Sequence, residues 1–314
     1  MFAQLSIPTP FQVGAVNAYL AGRTLFDPGP DSDEAWSALL DALEERELAP
    51  SDIERVCITH PHPDHFGLAG RLADDDAEVV ASAPAASIMA DFRGRYERER
   101  AFFTDFFERC GMAARTAETV TELPESFIRY APDVVTDREL REDDSIVVQD
   151  TKLDVLVTRG HAEGEAIFDY EVDGSRRAIV GDHVLAEITP NPFLLPPDDD
   201  AERPRSLPAF NRSLERLRDR EFDRLLTGHR DPVDEPNERI DDILAAHEER
   251  TANVLELVDG PTTPVDVMEG LFGDLPVTEY FAGMSEAVGH LDVLEARNEV
   301  EARERGGLLV YERT

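Results

Sequence analysis

Six consecutive residues constrain this chain more than any other feature: His60-Pro61-His62-Pro63-Asp64-His65. They follow Ile53-Glu54-Arg55-Val56-Cys57-Ile58, whose apolar content predicts a strand, and the two prolines predict a loop over 59–65. Imidazole nitrogen and carboxylate oxygen together suit a borderline divalent cation such as zinc. His60 and His62, in alternating positions, can face one ion. Asp64 and His65 can face a second where the loop bends. A solvated polar loop seldom gathers this composition. The fold must therefore present a strand end and bring further ligands to it.

Further ligand-type residues recur after other predicted strands. Gly160-His161-Ala162-Glu163-Gly164 follows strand-like 153–157, Gly181-Asp182-His183 follows 178–180, and Thr227-Gly228-His229 follows 222–226. Glycine beside each permits a tight turn, and ligands from several strand ends can converge on one edge. Singly, each histidine reads as structural; with 60–65 they read as a site.

The remaining pattern is mixed α/β. Leu5 and Ile7 alternate before a turn at Thr9-Pro10, 13–20 and 25–26 read as strands, and Asp27-Pro28-Gly29-Pro30 is a turn. Ser32 or Asp33 caps a helix carrying Ala35, Trp36, Leu39, Leu40 and Leu43. A short helix over 66–72 and a strand over 77–81 follow. Residues 84–115 are helical, with Phe92, Tyr96, Phe103, Phe106, Phe107 and Cys110 on one face; core, a lid and a homodimer face all fit that stripe. Strands are expected at 146–148 and 166–170 as well, with a hairpin turn at Val172-Asp173-Gly174-Ser175. Residues 190–208, including Asp198-Asp199-Asp200, read as an exposed loop, and 207–217 as an amphipathic helix. After a helix over 235–258, short helices at 263–272, 276–281 and 285–297 precede a ribbon, 300–303 and 308–311, in a winged-helix pattern.

Composition restricts the solvent more than the chemistry. Acids number 67 against 31 bases, a net charge of −36, and Lys152 is the only lysine. At 41% hydrophobic residues the chain can still build a core. Its carboxylate-rich, lysine-poor character resembles proteins of extreme halophiles, whose salt-rich cytosol shortens the Debye length to about 3 Å. No apolar run is long enough for a membrane span. Met1-Phe2-Ala3-Gln4-Leu5 lacks the basic start of a secretory signal, and two cysteines make no disulfide framework, so a cytoplasmic protein is expected.

His60-Pro61-His62-Pro63-Asp64-His65, followed in order by His161, Asp182 and His229, resembles the signature of the metallo-β-lactamase superfamily. Asp27-Pro28-Gly29 is similar to that family's early aspartate-x-glycine turn, with Asp27 supporting ligands rather than binding metal. The resemblance covers about residues 1–240. The tail is similar to the winged-helix region of one branch, most recognisably at His290-Leu291-Asp292-Val293-Leu294. It implies an αββα sandwich (metallo-β-lactamase fold) over 1–240 and a small winged-helix domain over 241–314. His60, His62 and His161 would hold one metal, Asp64, His65 and His229 a second, and Asp182 both. Two zinc ions are implied, with iron or manganese as alternatives, and a metal-bridging hydroxide as nucleophile. Asp64 would be the catalytic residue, orienting the nucleophile and shuttling its proton.

One departure stands out. Many relatives carry threonine or serine, then proline, after the third-motif histidine; here Ala162-Glu163-Gly164 follows, with Glu163 or Glu165 placed to alter metal affinity or substrate fit. His183 is expected to point away from the metals, either supporting the site or facing substrate, and His247 and His290 to be structural.

Hydrolysis of a small ester, thioester or lactone by a glyoxalase-II-like or thioesterase-like enzyme is the expected function, with phosphodiesterase or endoribonuclease activity as the alternative. A small-molecule substrate is favoured over nucleic acid because residues 260–314 carry eleven acids and four arginines. A di-iron redox role is disfavoured by His62, where such relatives carry glutamate, and a non-catalytic scaffold by the intact ligand set. Phe11, Phe92, Phe103 and Phe193 hint at an acyl or aromatic group.

Overall fold

The computed structural model describes residues 1–123, 125–197 and 201–314. The chain forms two compact units. The first comprises Met1–Arg93, Phe127–Pro190 and Glu215–Ile240, and the second Gly94–Ser126, Asn191–Leu214 and Asp241–Thr314.

The first unit is built on two sheets. In one, β1 (Ala3–Ile7), β2 (Val16–Ala21), β3 (Thr24–Phe26), β4 (Arg55–Cys57), β5 (Glu78–Ser82) and β6 (Arg138–Leu140) lie in sequence order. Pairing is antiparallel from β1 to β3 and parallel from β3 to β6. In the other, β7 (Ser145–Val148), β8 (Thr151–Thr158), β9 (Glu165–Val172) and β10 (Ser175–Gly181) form an antiparallel meander, to which β11 (Arg224–Thr227) adds in parallel beside β10. The turn between β9 and β10 places Asp173 and Gly174 at φ 52° and 73°, the left-handed pair that a two-residue hairpin needs.

Two apolar layers hold this unit together. Tyr19, Phe26 and Val80 of the first sheet share a cluster with Val155, Phe168 and Ile179 of the second, so the sheets pack face to face. On the other face of the first sheet, Leu5, Leu25, Val56 and Val79 cluster with Leu39 and Leu43 of α1 (Asp33–Glu44), Leu72 of α3 (Ala69–Ala73) and Met89 of α4 (Ala83–Ala90). Ser32 caps α1, its hydroxyl accepting from the Ala35 amide. The architecture is mixed α/β, as the sequence pattern leads one to expect.

This topology determines where turns can gather. Parallel pairing of β3 with β4 brings their C-terminal ends to one edge. In the second sheet β8, β10 and β11 run in one direction and end together. Asp27, the 59–65 segment, His161, Asp182 and His229 all follow these ends.

The 59–65 segment is not wholly a loop: Pro63–Phe66 forms a helical turn, α2. Pro63 occupies its first position, where the missing N–H has no partner to lose, so the proline starts a helix instead of breaking one.

The second unit contains most of α5 (Phe92–Arg109), then α6 (Ala114–Glu122), with α7 (Glu125–Ile128) at its boundary, and the first part of α8 (Ser206–Arg218). Most of α9 (Pro236–Leu257) follows, then α10 (Pro264–Phe272), α11 (Tyr280–Ala296) and a hairpin of β12 (Val300–Arg305) and β13 (Leu308–Arg313). The aromatic stripe is core here. Phe103, Phe106, Phe107 and Cys110 are buried with Val254, Met268, Val288 and Leu291, which is why an early segment belongs with the C-terminal helices.

Residues 276–281 do not make a separate helix. Val277–Glu279 is a single 3₁₀ turn leading into α11, which runs unbroken through Gly283. A Cβ at Gly283 would lie 2.8 Å from Leu275 Cδ1 and 3.1 Å from Met268 Cγ, so this glycine marks close packing and not a break. The segment before α8 is not simply exposed: Pro192 and Leu194 are buried, and the Leu194 amide donates to Ser285 Oγ (3.2 Å). Asp198-Asp199-Asp200 lies outside the described residues. No helix among the described residues is long and apolar enough to cross a membrane.

Candidate metal centre

His62 caps the N-terminus of α2 in extended conformation, and the following turn carries Asp64 and His65 inward. Asp27, at φ 49°, directs its carboxylate beneath this segment. Its Oδ1 accepts from the Thr59 amide (2.8 Å) and its Oδ2 from the Thr59 hydroxyl (2.6 Å). Oδ2 also lies 2.9 Å from His65 Nδ1. Asp27 therefore supports the ligands.

These bonds select tautomers. The one hydroxyl proton of Thr59 goes to Asp27, so its oxygen is left to accept from His60 Nδ1–H, 3.0 Å away. His65 Nδ1–H faces Asp27, and His229 Nδ1–H donates to the Ala15 carbonyl (2.8 Å). In all three rings Nε2 is then the nitrogen turned into the cluster, available to a cation.

Three overlapping donor sets result: His60 with His62 and His161; His60 with His65 and Asp182; and Asp64 with His65 and His229. His62 Nδ1 lies 3.0 Å from His60 Nε2 and 3.2 Å from His161 Nε2. A tetrahedral ion with bonds of about 2.0 Å separates its ligands by about 3.3 Å, so this trio fits a zinc-sized cation. Asp182 lies 3.6 Å from His65 Nε2, 3.7 Å from His161 Nε2 and 3.5 Å from His229 Nε2, within reach of both halves. His229 Nε2 is 3.3 Å from Asp64 Oδ2.

The cluster is buried and incomplete without a cation. His65 Nε2, His229 Nε2 and Asp182 Oδ1 are buried and make no hydrogen bond. These nitrogens and the facing carboxylates are held together by positive charge between them, which protons on His65 and His229 or a bound cation can supply. Burial and the neighbouring imidazoles push His60 well down and His62 to about 3, which keeps both neutral. Burial opposes charge on His65 and His229 too, but Asp182 and Asp64 outweigh it and raise both. Burial also works against ionised Asp64 and Asp182; facing histidines prevail and hold both carboxyls below their usual range. Gly228 leaves room for this packing, since a Cβ there would meet Asp182 Oδ1 at 2.2 Å and His65 Cε1 at 2.8 Å.

All seven residues singled out as ligands in the sequence come together here. Beyond Asp27, sequence reasoning missed the polar frame beneath them. Asn17 Nδ2 donates to the carbonyls of Thr227 (3.0 Å) and Arg230 (2.7 Å), and Tyr19 OH to Thr227 (2.7 Å), fixing the turn that carries His229. Only the threonine directly before His60 offered a local signal. His183 is fully buried, and its Nδ1 lies 2.8 Å from Glu165 Oε2. Of the two flagged carboxylates Glu165 is the buried one, whereas Glu163 is half-exposed. His247 and His290 are buried in the second unit.

Comparison with known proteins agrees with this geometry. Residues 12–229 match the sequence profile of the metallo-beta-lactamase superfamily. The chain is 30% identical to the probable metallo-hydrolase YqjP of Bacillus subtilis (strain 168), over 98% of this chain and 96% of that one. The crystal structure of metallo-beta-lactamase family protein TTHA1429 from Thermus thermophilus superposes with a TM-score of 0.80 at 29% identity, covering 100% of this chain and 98% of that one. A beta-lactamase domain protein from Burkholderia ambifaria shares the fold at a TM-score of 0.78 and 22% identity, covering 99% and 92%.

Proposed function

Because this chain belongs to the metallo-β-lactamase superfamily and is a metal-dependent hydrolase, we propose that it cleaves a small ester, thioester or lactone at a pair of divalent cations. The observation that carries this reading is the set of buried, hydrogen-bond-free atoms His65 Nε2, His229 Nε2 and Asp182 Oδ1, facing one another among further donors. His60, His62 and His161 would hold one cation and Asp64, His65 and His229 the other, with Asp182 shared. Zinc suits this nitrogen and oxygen set best, with iron or manganese as alternatives. When bound, such cations supply a nucleophilic water at neutral pH and polarise the scissile carbonyl.

The chain's own residues do the rest. Asp64 is buried and held ionised, so its Oδ atoms can orient the attacking water and take up its proton. Asp27, Thr59 and the Ala15 carbonyl keep the Nδ1 protons of His60, His65 and His229 directed away from the cluster.

Charge supports a small molecule over nucleic acid. We read the C-terminal helices and hairpin as a winged-helix region, yet residues 260–314 have a net charge of −7 and offer no basic stripe for a phosphate backbone. The overall charge of −36 with a single lysine supports a salt-rich cytosol as the working solvent.

The test is metal analysis of protein purified in molar salt, then assay on thioesters, lactones and phosphodiesters. Two cations per chain and chelator-sensitive hydrolysis of a thioester or lactone are expected. Cleavage of bis-nitrophenyl phosphate or RNA without thioester or lactone hydrolysis would overturn the substrate class.

A further inference from the structure

β9 begins at the edge where β8 and β10 end, and its first two residues touch three of the ligand-bearing turns. Glu165 directly follows the 159–164 turn that carries His161. The next residue, Ala166, donates its amide to the Thr59 carbonyl (2.7 Å), just before His60. The Glu165 side chain crosses to the turn after β10, where Oε2 meets His183 Nδ1 at 2.8 Å. His183 is the residue directly after Asp182.

Both partners are buried, Glu165 at 2% exposure and His183 at 0%, and Glu165 Oε1 makes no hydrogen bond. The His161 turn is anchored on its other side, where the Ser82 hydroxyl donates to the Gly164 carbonyl. Gly164, at φ 70°, packs closely on Pro84, since a Cβ there would lie 2.6 Å from Pro84 Cβ. The Asp182 turn, in turn, is tied to the His229 turn by the Gly228 amide donating to the Gly181 carbonyl (2.6 Å). The Glu165–His183 pair is a buried side-chain bond between the turn that carries Asp182 and the first residue after the turn that carries His161.

We infer that Glu165 and His183 are positioning residues that set the spacing between Asp182 and His161, and so govern retention of the cation held by His60, His62 and His161. This rests on the dinuclear reading above. Neither residue is assigned contact with substrate. The departure Ala162-Glu163-Gly164-Glu165 thereby acquires a role: it places a carboxylate where it can hold the neighbouring ligand turn.

The test is cobalt(II) titration of the full chain, followed by visible absorption and by competition with a chromophoric chelator. His161→Ala, titrated alongside, identifies which equivalent belongs to the histidine trio. Glu165→Ala should weaken that equivalent by at least about tenfold and alter its absorption band, leaving the other within about threefold. Glu165→Gln keeps an oxygen acceptor for His183 Nδ1–H and should restore binding to within about threefold. Should Glu165→Ala not fold, His183→Ala cuts the same link from the other side and must give the same selective loss. Unchanged binding in the alanine variant, or equal weakening of both equivalents, would overturn the inference while leaving the dinuclear reading intact. Wild-type protein that takes up fewer than two equivalents would overturn both.

Discussion

Each unit buries a cluster of histidines and carboxylates, and the two are finished differently. In the second unit His290 uses both nitrogens, Nδ1 toward Thr251 Oγ1 (2.8 Å) and Nε2 toward Glu286 Oε2 (3.3 Å). Glu286 also accepts from Arg250 Nη1 (2.7 Å), so its charge is matched within the protein. His247 Nδ1 donates to Asn211 Oδ1 (2.7 Å), and only its Nε2 is left without a hydrogen bond. Burial holds that ring neutral, pushing it down to about 4, so the loose end carries no charge. In the metal centre the loose ends include an oxygen of ionised Asp182, and the ion-pair partners recorded for Asp64 and Asp182 among the described residues are histidines alone. Histidine content does not separate the two clusters. What separates them is whether the protein closes its own electrostatics or leaves a deficit of positive charge for a ligand to fill.

The largest expected effect comes from removing a charge on the open side. Asp64→Ala should lower chelator-sensitive turnover by roughly 10²- to 10⁴-fold, the range for a positioned acid or base. The thermal midpoint of the metal-free protein should stay within a few degrees, because the variant loses the ion pairs of Asp64 with His65 and His229 but is also relieved of a buried carboxylate. Turnover per folded molecule that does not change would remove Asp64 from its assigned role.

The closed cluster should answer through stability instead. His247 has a folded pKa near 4, below its ordinary 6.5. The unfolded chain therefore binds the proton more readily between these values. The stabilisation from keeping His247 neutral is complete above about pH 6.5 and falls as pH drops toward 4, to a limit of about 3 kcal/mol. Urea unfolding at pH 7 and pH 5 should show wild type losing about 2 kcal/mol more than His247→Gln. Equal losses would mean that His247 is not the buried neutral group described. Metal stoichiometry should be the same in both proteins.

The ligands were legible in sequence because each lies either beside a glycine in the turn after a strand-like run or within the 60–65 cluster that follows one. Chemistry and local pattern coincide there. Partnerships set by topology were not legible. Nothing near Glu165 announces His183, eighteen residues on, since their meeting depends on β9 running antiparallel to β10. The aromatic stripe of α5 declared an apolar face but not its occupant, which turned out to be Val254, Met268 and Leu291. Pro63 hides a helix start within an expected loop: proline breaks helices in general, but at the first helical position its missing N–H does no harm.

The most discriminating comparison uses one substitution twice. Thr59 and Thr251 play the same local part. Thr59 Oγ1 donates to Asp27 Oδ2 and faces His60 Nδ1 (3.0 Å), while Thr251 Oγ1 donates to the His247 carbonyl (2.8 Å) and faces His290 Nδ1. Valine preserves the shape of threonine and removes the hydroxyl in both places. Each variant strands buried polar groups, so each should lose about 1–3 kcal/mol in urea unfolding of the metal-free protein. Thr59→Val should also weaken cobalt(II) binding by roughly 10- to 100-fold, because His60 loses the bond that directs Nε2 into the cluster. Thr251→Val should bind cobalt as wild type does. A matched loss of stability with a one-sided loss of metal would show that the same hydrogen bond serves the fold in one unit and the ligand in the other. Equal metal binding in the two variants would break that distinction, and with it the claim that Thr59 fixes the His60 tautomer.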